Sequence, residues 1–353
     1  MPMEQSIVER EKRRRILEKR KRKRRKRVIQ RIVIILAGLL SVMSMIRGCA
    51  GLVRSYNKEE QVVSSVEPDE EQKDSSDSGH IIESDGGKIA VTREDLSKGS
   101  LILVNDENPI RYYDESELVS ISETNEGVYQ VKDKSVKLNQ EAITALNKML
   151  MDFKEAKGDN ELIIVSGYRD FNAQEKIHYE TIINEGTEQA NNYVAKPDRS
   201  EHHTGLAIDL GIYHVDGTSS EYDGTGIYSW INDNCYKYGF ILRYESEKKD
   251  KTGISKEPWH FRYVGKVHAT IMNELNLCLE EYILYLKNYS YYTNPGQGIA
   301  EAGKNYSIYY VPAENDITYI PIPKSKDYTV SGNNKDGFIV TVMLNRENNV
   351  NNR

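Results

Sequence analysis

Cysteine is scarce: the chain has three in 353 residues, Cys49, Cys235 and Cys278. They form no metal-binding CxxC pair and are too few for a dense disulfide framework. Their spacing is compatible with one Cys235–Cys278 bridge or with two separate, partly buried thiols. Internal repeats are also absent, and apolar runs long enough to approach a bilayer's width are missing except at one place. No small-x-small cleavage site follows that run cleanly, which argues against a removed leader.

The charge is unevenly placed. The net charge is −6, yet residues 1–31 hold 15 Lys/Arg against 4 Asp/Glu, leaving the rest of the chain strongly acidic. A basic leader standing alone would suggest nucleic acid. Here it runs into Ile32–Ile46, fifteen uncharged and mostly apolar residues closed by Arg47. A bilayer core needs about 17–20 such residues, and flanking arginines can snorkel to make up the difference. The positive bias before the segment places the N-terminus in the cytoplasm and the body outside. The expectation is a single-pass signal anchor over 32–50, with 1–31 cytoplasmic and no nucleic-acid partner. Ile46-Arg47-Gly48-Cys49 fits a lipoprotein box poorly because of Arg47.

Residues 51–87 are rich in Glu, Asp, Ser and Gln and poor in aromatics, as expected of a solvated stalk. Order is expected from residue 88. Leu101–Asn105, Val128–Val131, Leu162–Val165, Leu206–Leu210 and Phe261–Val264 read as strands. Ala142, Leu146, Met149, Leu150 and Phe153 recur at helical spacing after Asn139, a second helix is expected near 172–184, and 267–288 reads as one more. From 292 to 353 the pattern turns to short Tyr- and Ile-rich alternating runs, a small β extension beside a body of 88–291.

Two segments about fifty residues apart carry the chemistry: Ser200-Glu201-His202-His203-Thr204-Gly205-Leu206-Ala207-Ile208-Asp209 and Glu257-Pro258-Trp259-His260. His202 and Asp209 would face opposite sides of a flat strand, and Gly205 between them can supply the bend. Pro258 forces a turn, which would leave Glu257 on a loop and His260 at the start of the next strand. An acid between Ile208 and Leu210 needs a partner. Two imidazoles and a carboxylate suit one zinc ion per chain with an open fourth position. Glu257 would then act as general base on a bound water. Arg169, in Ser166-Gly167-Tyr168-Arg169, could stabilise an oxyanion, and Ser200 and Gln174 could hydrogen-bond substrate. His203 should point away from the ion, and Trp259 reads as packing rather than as a substrate platform.

Ser200-x-His202-x-x-Gly205-x-Ala207-x-Asp209, followed by Glu257-x-x-His260 and preceded by Ser166–Arg169, resembles the VanY-type D-alanyl-D-alanine carboxypeptidases. The resemblance spans roughly 100–290. It implies an α+β domain of the hedgehog/DD-peptidase kind, with an antiparallel sheet and flanking helices. It also implies zinc on His202, Asp209 and His260, a catalytic base at Glu257 and a transition-state arginine at Arg169. Glu245 stands where the family usually has Pro, and Lys196 and His203 replace the usual Arg and Gln, departures that bear on the substrate pocket. The implied substrate is a peptidoglycan stem peptide ending in D-Ala–D-Ala, met outside a bacterial cell. The alternatives are a D,D-dipeptidase, a cross-link endopeptidase, or a non-catalytic zinc-holding wall-binding module.

Overall fold

The structure is a computed structural model. It describes residues 87–344 except 112–114, 126, 159–160, 293–305 and 325–326. The basic segment, the anchor and the stalk up to residue 86 lie outside the described residues. Among the described residues no helix is long and apolar enough to cross a membrane.

The chain is α+β. Its strands are β1 (Gly87–Thr92), β2 (Leu118–Ser120), β3 (Gln130–Val131), β4 (Lys137–Asn139), β5 (Leu162–Ser166), β6 (Ala207–Tyr213), β7 (Ser219–Glu221), β8 (Phe240–Tyr244), β9 (Glu257–Tyr263), β10 (Tyr306–Pro312), β11 (Ile317–Ile322), β12 (Tyr328–Gly332) and β13 (Gly337–Met343). Its main helices are α1 (Gln140–Lys157), α2 (Phe171–Glu185), α3 (Thr187–Tyr193), α4 (Lys266–Leu275) and α5 (Leu279–Leu286). The central sheet runs β3-β5-β6-β9-β8, with β7 added beside β6. Only the β3–β5 pair is parallel.

Helix α1 forms where the periodicity predicts it. The Asn139 side chain caps its first turn, accepting from Glu141 N at 2.9 Å, and Gly158 ends it at φ +69°. Its buried stripe, Ala142, Leu146, Met149, Leu150 and Phe153, packs with Leu162, Ile164, Ile208 and Phe261 of the sheet. That core fixes the outer face of β5, β6 and β9, and so fixes where their opposite faces point.

Three expectations need correction. Leu101–Val104 is fully buried but joins no strand ladder. Leu101 N–H donates to Ser331 Oγ, Leu103 N–H to Asn333 O, and Ser100 and Ile102 carbonyls accept from Arg262. An apolar run signals burial, and distant side chains together with the Asn333 carbonyl satisfy its backbone in place of a neighbouring strand. The single helix over 267–288 is two helices, broken where Asn276 turns left-handed at φ +51°. Glu281 caps the second helix by accepting from Cys278 N–H at 3.0 Å. Each half keeps its own apolar stripe, so the periodicity reads through the break. Glu257, expected on a loop, opens strand β9 instead. The thiols, left open by the sequence, are both free and buried.

Strands β10, β13 and β12 form an antiparallel three-stranded sheet, and β11 pairs with β1. Ile308 and Ile339 enter one apolar cluster with Leu101, Leu103, Val264, Ile271 and Tyr282. Asn334, at φ +56°, donates to the carbonyls of Leu103 and Pro109 and accepts from Ser97 Oγ.

His268 ties the two parts together. Its ring lies 2.9 Å from Tyr282 Oη and 3.0 Å from Thr341 Oγ1, and burial pushes its pKa down to about 4. The unfolded chain protonates this histidine near 6.5, the folded chain only near 4, so stability falls as pH drops through that window. At pH 5 the penalty is about 2 kcal/mol relative to pH 7.5. His268→Gln should lose correspondingly less stability than wild type between those pH values in urea unfolding. Equal losses would refute the assignment.

Candidate active site

Asp209 on β6 stands directly opposite His260 on β9, so the two side chains leave the same face of the sheet. Ile208 and Leu210, pointing the other way, are sealed in the core. Glu257 and His260 are three apart and would diverge on a regular strand. The register between β8 and β9 slips between Leu242 and Tyr244, so that Glu257 pairs with Tyr244 and His260 still reaches the Asp209 side. A second slip, in β5 between Ile164 and Ser166, brings Ser166 opposite Asp209 and starts the loop that delivers Arg169.

His202 comes from a short helical turn, Glu201–Thr204, entered at Ser200. Gly205 closes the turn at φ +68°, where a Cβ would sit 2.4 Å from Leu118 Cδ2. The bend assigned to Gly205 is there, and no other residue fits it without strain.

The three candidate ligands converge, with their ligating atoms all within 4.8 Å of one another. His202 Nε2 lies 3.2 Å from Asp209 Oδ2, and His260 Nδ1 lies 3.0 Å from Asp209 Oδ1. His202 Nδ1 is 2.6 Å from Gly167 O. A carbonyl can only accept, so Nδ1 carries the proton and Nε2 is a bare lone pair. Burial, with Arg169 nearby, lowers this imidazole's pKa to about 4, so it is neutral at physiological pH. A lone pair facing a carboxylate across 3.2 Å, buried and with no other partner, is an arrangement that a cation satisfies. The donor set therefore fits a metal ion of the kind bound by two imidazoles and one carboxylate.

Charges around the corner are unequal. Burial would raise the Asp209 carboxyl, but His202 and His260 outweigh it and hold it well below the usual range. Burial pushes Glu257 up to about 8, and the Asp209 charge adds to this while His260 and Arg169 oppose it. Burial would lower His260, yet the carboxylates of Asp209, Glu201 and Glu257 raise it to about 9 in the metal-free chain. Glu257 Oε2 is 3.8 Å from His260 Nδ1, close to the corner without forming part of it.

Arg169 reaches the same corner, with Nη2 3.5 Å from Asp209 Oδ2 and Nη1 donating to Gln174 Oε1 at 2.9 Å. Gln174, expected to meet substrate, lines the cleft and also bonds within the protein: Nε2 donates to Ala195 O at 2.6 Å. It braces Arg169. The Ser200 hydroxyl accepts from His202 N–H at 3.4 Å, and both residues line the cleft. That cleft encloses about 770 Å³ and is lined by Arg169, His202, Asp209, Glu257, Trp259 and His260 among others.

His203, expected to point away, does so and holds the Arg169 loop. Its Nδ1 donates to Arg169 O at 2.6 Å and its Nε2 accepts from Asp198 N–H at 3.2 Å. Sequence reasoning missed Glu201, Arg243, Arg262 and Tyr244. The Tyr244 ring packs 4.9 Å from that of His260, and Glu201 is buried between the two arginines. The signal was available: arginines inside the apolar strands Phe240–Tyr244 and Glu257–Tyr263 need a buried acid.

A two-imidazole, one-carboxylate corner with a buried glutamate beside it, on a mixed, mostly antiparallel sheet, is the side-chain set of a metallohydrolase. The family model described as VanY, D-alanyl-D-alanine carboxypeptidase, matches residues 135–266. The chain is 37% identical over 255 residues to a D-alanyl-D-alanine carboxypeptidase of Enterococcus faecium, covering 71% of this chain and 78% of the relative. It is 35% identical over 209 residues to the enzyme of that name in Enterococcus faecalis, covering 55% and 70%. Among solved structures it resembles the vancomycin-resistance D,D-dipeptidase VanXYg in complex with a D-Ala-D-Ala phosphinate analogue. The TM-score is 0.65 at 34% identity, over 73% of this chain and 98% of that one. The chain belongs to the VanY D-alanyl-D-alanine carboxypeptidase family and is an enzyme.

Proposed function

We propose that this chain is a zinc-dependent D-alanyl-D-alanine carboxypeptidase that removes the terminal D-Ala from peptidoglycan pentapeptide stems. The observation that carries the reading is the convergence of His202, Asp209 and His260 beside a buried Glu257. His202 through Nε2, Asp209 through its carboxylate and His260 through Nδ1 would hold the ion. When bound, zinc supplies Lewis acidity, lowering the pKa of a water and polarising a carbonyl oxygen.

The chain's own groups do the rest. Glu257 takes a proton from the attacking water and returns it to the departing D-Ala amine. Glu257, whose proton affinity burial raises, would be drawn back toward the working range by positive charge at the corner. Arg169, braced by Gln174 and by the His203 bond to its carbonyl, points its guanidinium at the charge that develops on the scissile carbonyl oxygen. Arg169→Ala should lower kcat by about 10²–10³-fold. Gln174→Leu should show a milder kcat loss, because it loosens Arg169 without removing a substrate contact. A loss confined to KM in either variant would contradict these roles.

The cleft volume falls in the range of about 300–1,000 Å³ typical of ligand sites, which leaves room for the end of a stem peptide. The basic segment and the apolar run before residue 51 support a single-pass anchor with the active site outside the cell, beside its polymeric substrate.

The test is D-Ala release by the full chain from a muropeptide pentapeptide, from free D-Ala–D-Ala and from a cross-linked dimer. Pentapeptide turnover well above the other two is expected. Turnover of the free dipeptide alone would replace this reading with a dipeptidase.

A further inference from the structure

The turn that carries His202 also carries Glu201, buried to 1% exposure. Its Oε1 accepts from Arg243 Nε at 2.9 Å and from Arg262 Nη1 at 2.8 Å. Arg243 is held in turn by Glu280 of α5, through bonds of 3.0 and 2.7 Å, and Arg262 by the carbonyls of Ser100 and Ile102. The two acids and two arginines balance in charge. Burying such a set costs desolvation that apolar packing would avoid, so stability alone does not account for it.

The other carboxylate oxygen, Oε2, has no hydrogen-bond partner. It faces His260 Nε2 across 3.6 Å, and that nitrogen is also buried without one. The gap exceeds a formed hydrogen bond. Coulombic attraction still acts across it, and it is strong in a dry interior. Two carboxylates compete for the ring's proton, Asp209 at 3.0 Å from Nδ1 and Glu201 at 3.6 Å from Nε2; with a cation on the Asp209 side, Glu201 would hold the proton on Nε2 and leave Nδ1 as the lone pair of the ring.

We infer that Glu201 is a positioning residue, a carboxylate clamped by Arg243 and Arg262 that orients His260 so that Nδ1 is presented to the metal. This inference rests on the zinc reading above. It explains why one short turn supplies both a ligand and the residue that aims the ligand on the neighbouring strand. Partners of this kind fix ring orientation and raise ligand basicity, and losing one weakens metal binding by about 10–100-fold.

The test measures zinc affinity by chelator competition in full-length wild type, Glu201→Gln, Glu201→Asp and Glu280→Gln. The Glu280 variant disturbs the same ionic network on the far side of Arg243 without touching His260. Glu201→Gln should bind zinc about 10–100-fold more weakly. Glu201→Asp keeps the charge for the arginines but draws the carboxylate back from His260, so it should be weakened too and serves if the Gln variant fails to fold. Glu280→Gln should keep wild-type affinity even if its melting temperature falls. The 15N imidazole spectrum of zinc-loaded wild type should show His260 protonated at Nε2, and this needs no variant. Unchanged affinity in a folded Glu201 variant, equal weakening in Glu280→Gln, or a proton on His260 Nδ1 would each overturn the inference. Failure of wild type itself to bind zinc would instead remove the metal reading on which it rests.

Discussion

Glu257→Gln is expected to lower D-Ala release by about 10²–10⁴-fold, the range that a positioned proton carrier contributes. The substitution keeps the side-chain size at a site only 5% exposed, so the fold should hold. It also leaves His202, Asp209 and His260 untouched, so zinc content should match wild type. A variant that loses both activity and zinc would make Glu257 a ligand. One that keeps its activity would remove it from the chemistry. The split between intact metal and lost turnover separates a base from a fourth ligand, and activity alone does not.

Asp209→Asn attacks the corner itself. The carboxylate lies within 3.2 Å of both imidazoles and is the only negative charge among the three ligands. Its removal should abolish stoichiometric zinc binding and lower turnover by roughly 10³-fold or more, since metal charge stabilisation is worth several kcal/mol. The amide keeps the side-chain volume on β6, so circular dichroism should remain that of wild type. Full zinc occupancy in this variant would contradict the ligand assignment.

The parts of the site that were legible in the sequence share a property: each residue breaks a local rule. Asp209 interrupts the apolar run Leu206–Leu210, and Gly205 sits where a bend is required, whereas the turn read from Pro258 is not there because Pro258 lies within β9. Strands β5, β6 and β9 were legible as apolar runs between turn residues, and α1 because one apolar face repeats at helical period. What escaped depends on partners distant in sequence. Leu101–Val104 looks like a strand, but its backbone is satisfied by Ser331, Asn333 and Arg262, which lie about 160 to 230 residues away. The slip between β8 and β9 that aligns Glu257 with His260 has no signature in either strand alone. Gln174 has the chemistry of a substrate contact, and only its bonds to Arg169 and Ala195 reveal a brace. Glu201 was hidden beside a ligand, although the arginines needing it stood in plain view in β8 and β9.

The most direct measurement strips the full-length protein with chelator and follows D-Ala release from the pentapeptide as zinc is titrated back. Activity should vanish on stripping, return linearly and reach a plateau at one zinc per chain. Glu257→Gln should take up the same single ion and remain inactive. Full turnover in the stripped enzyme, or restoration that needs a different number of ions, would contradict the account.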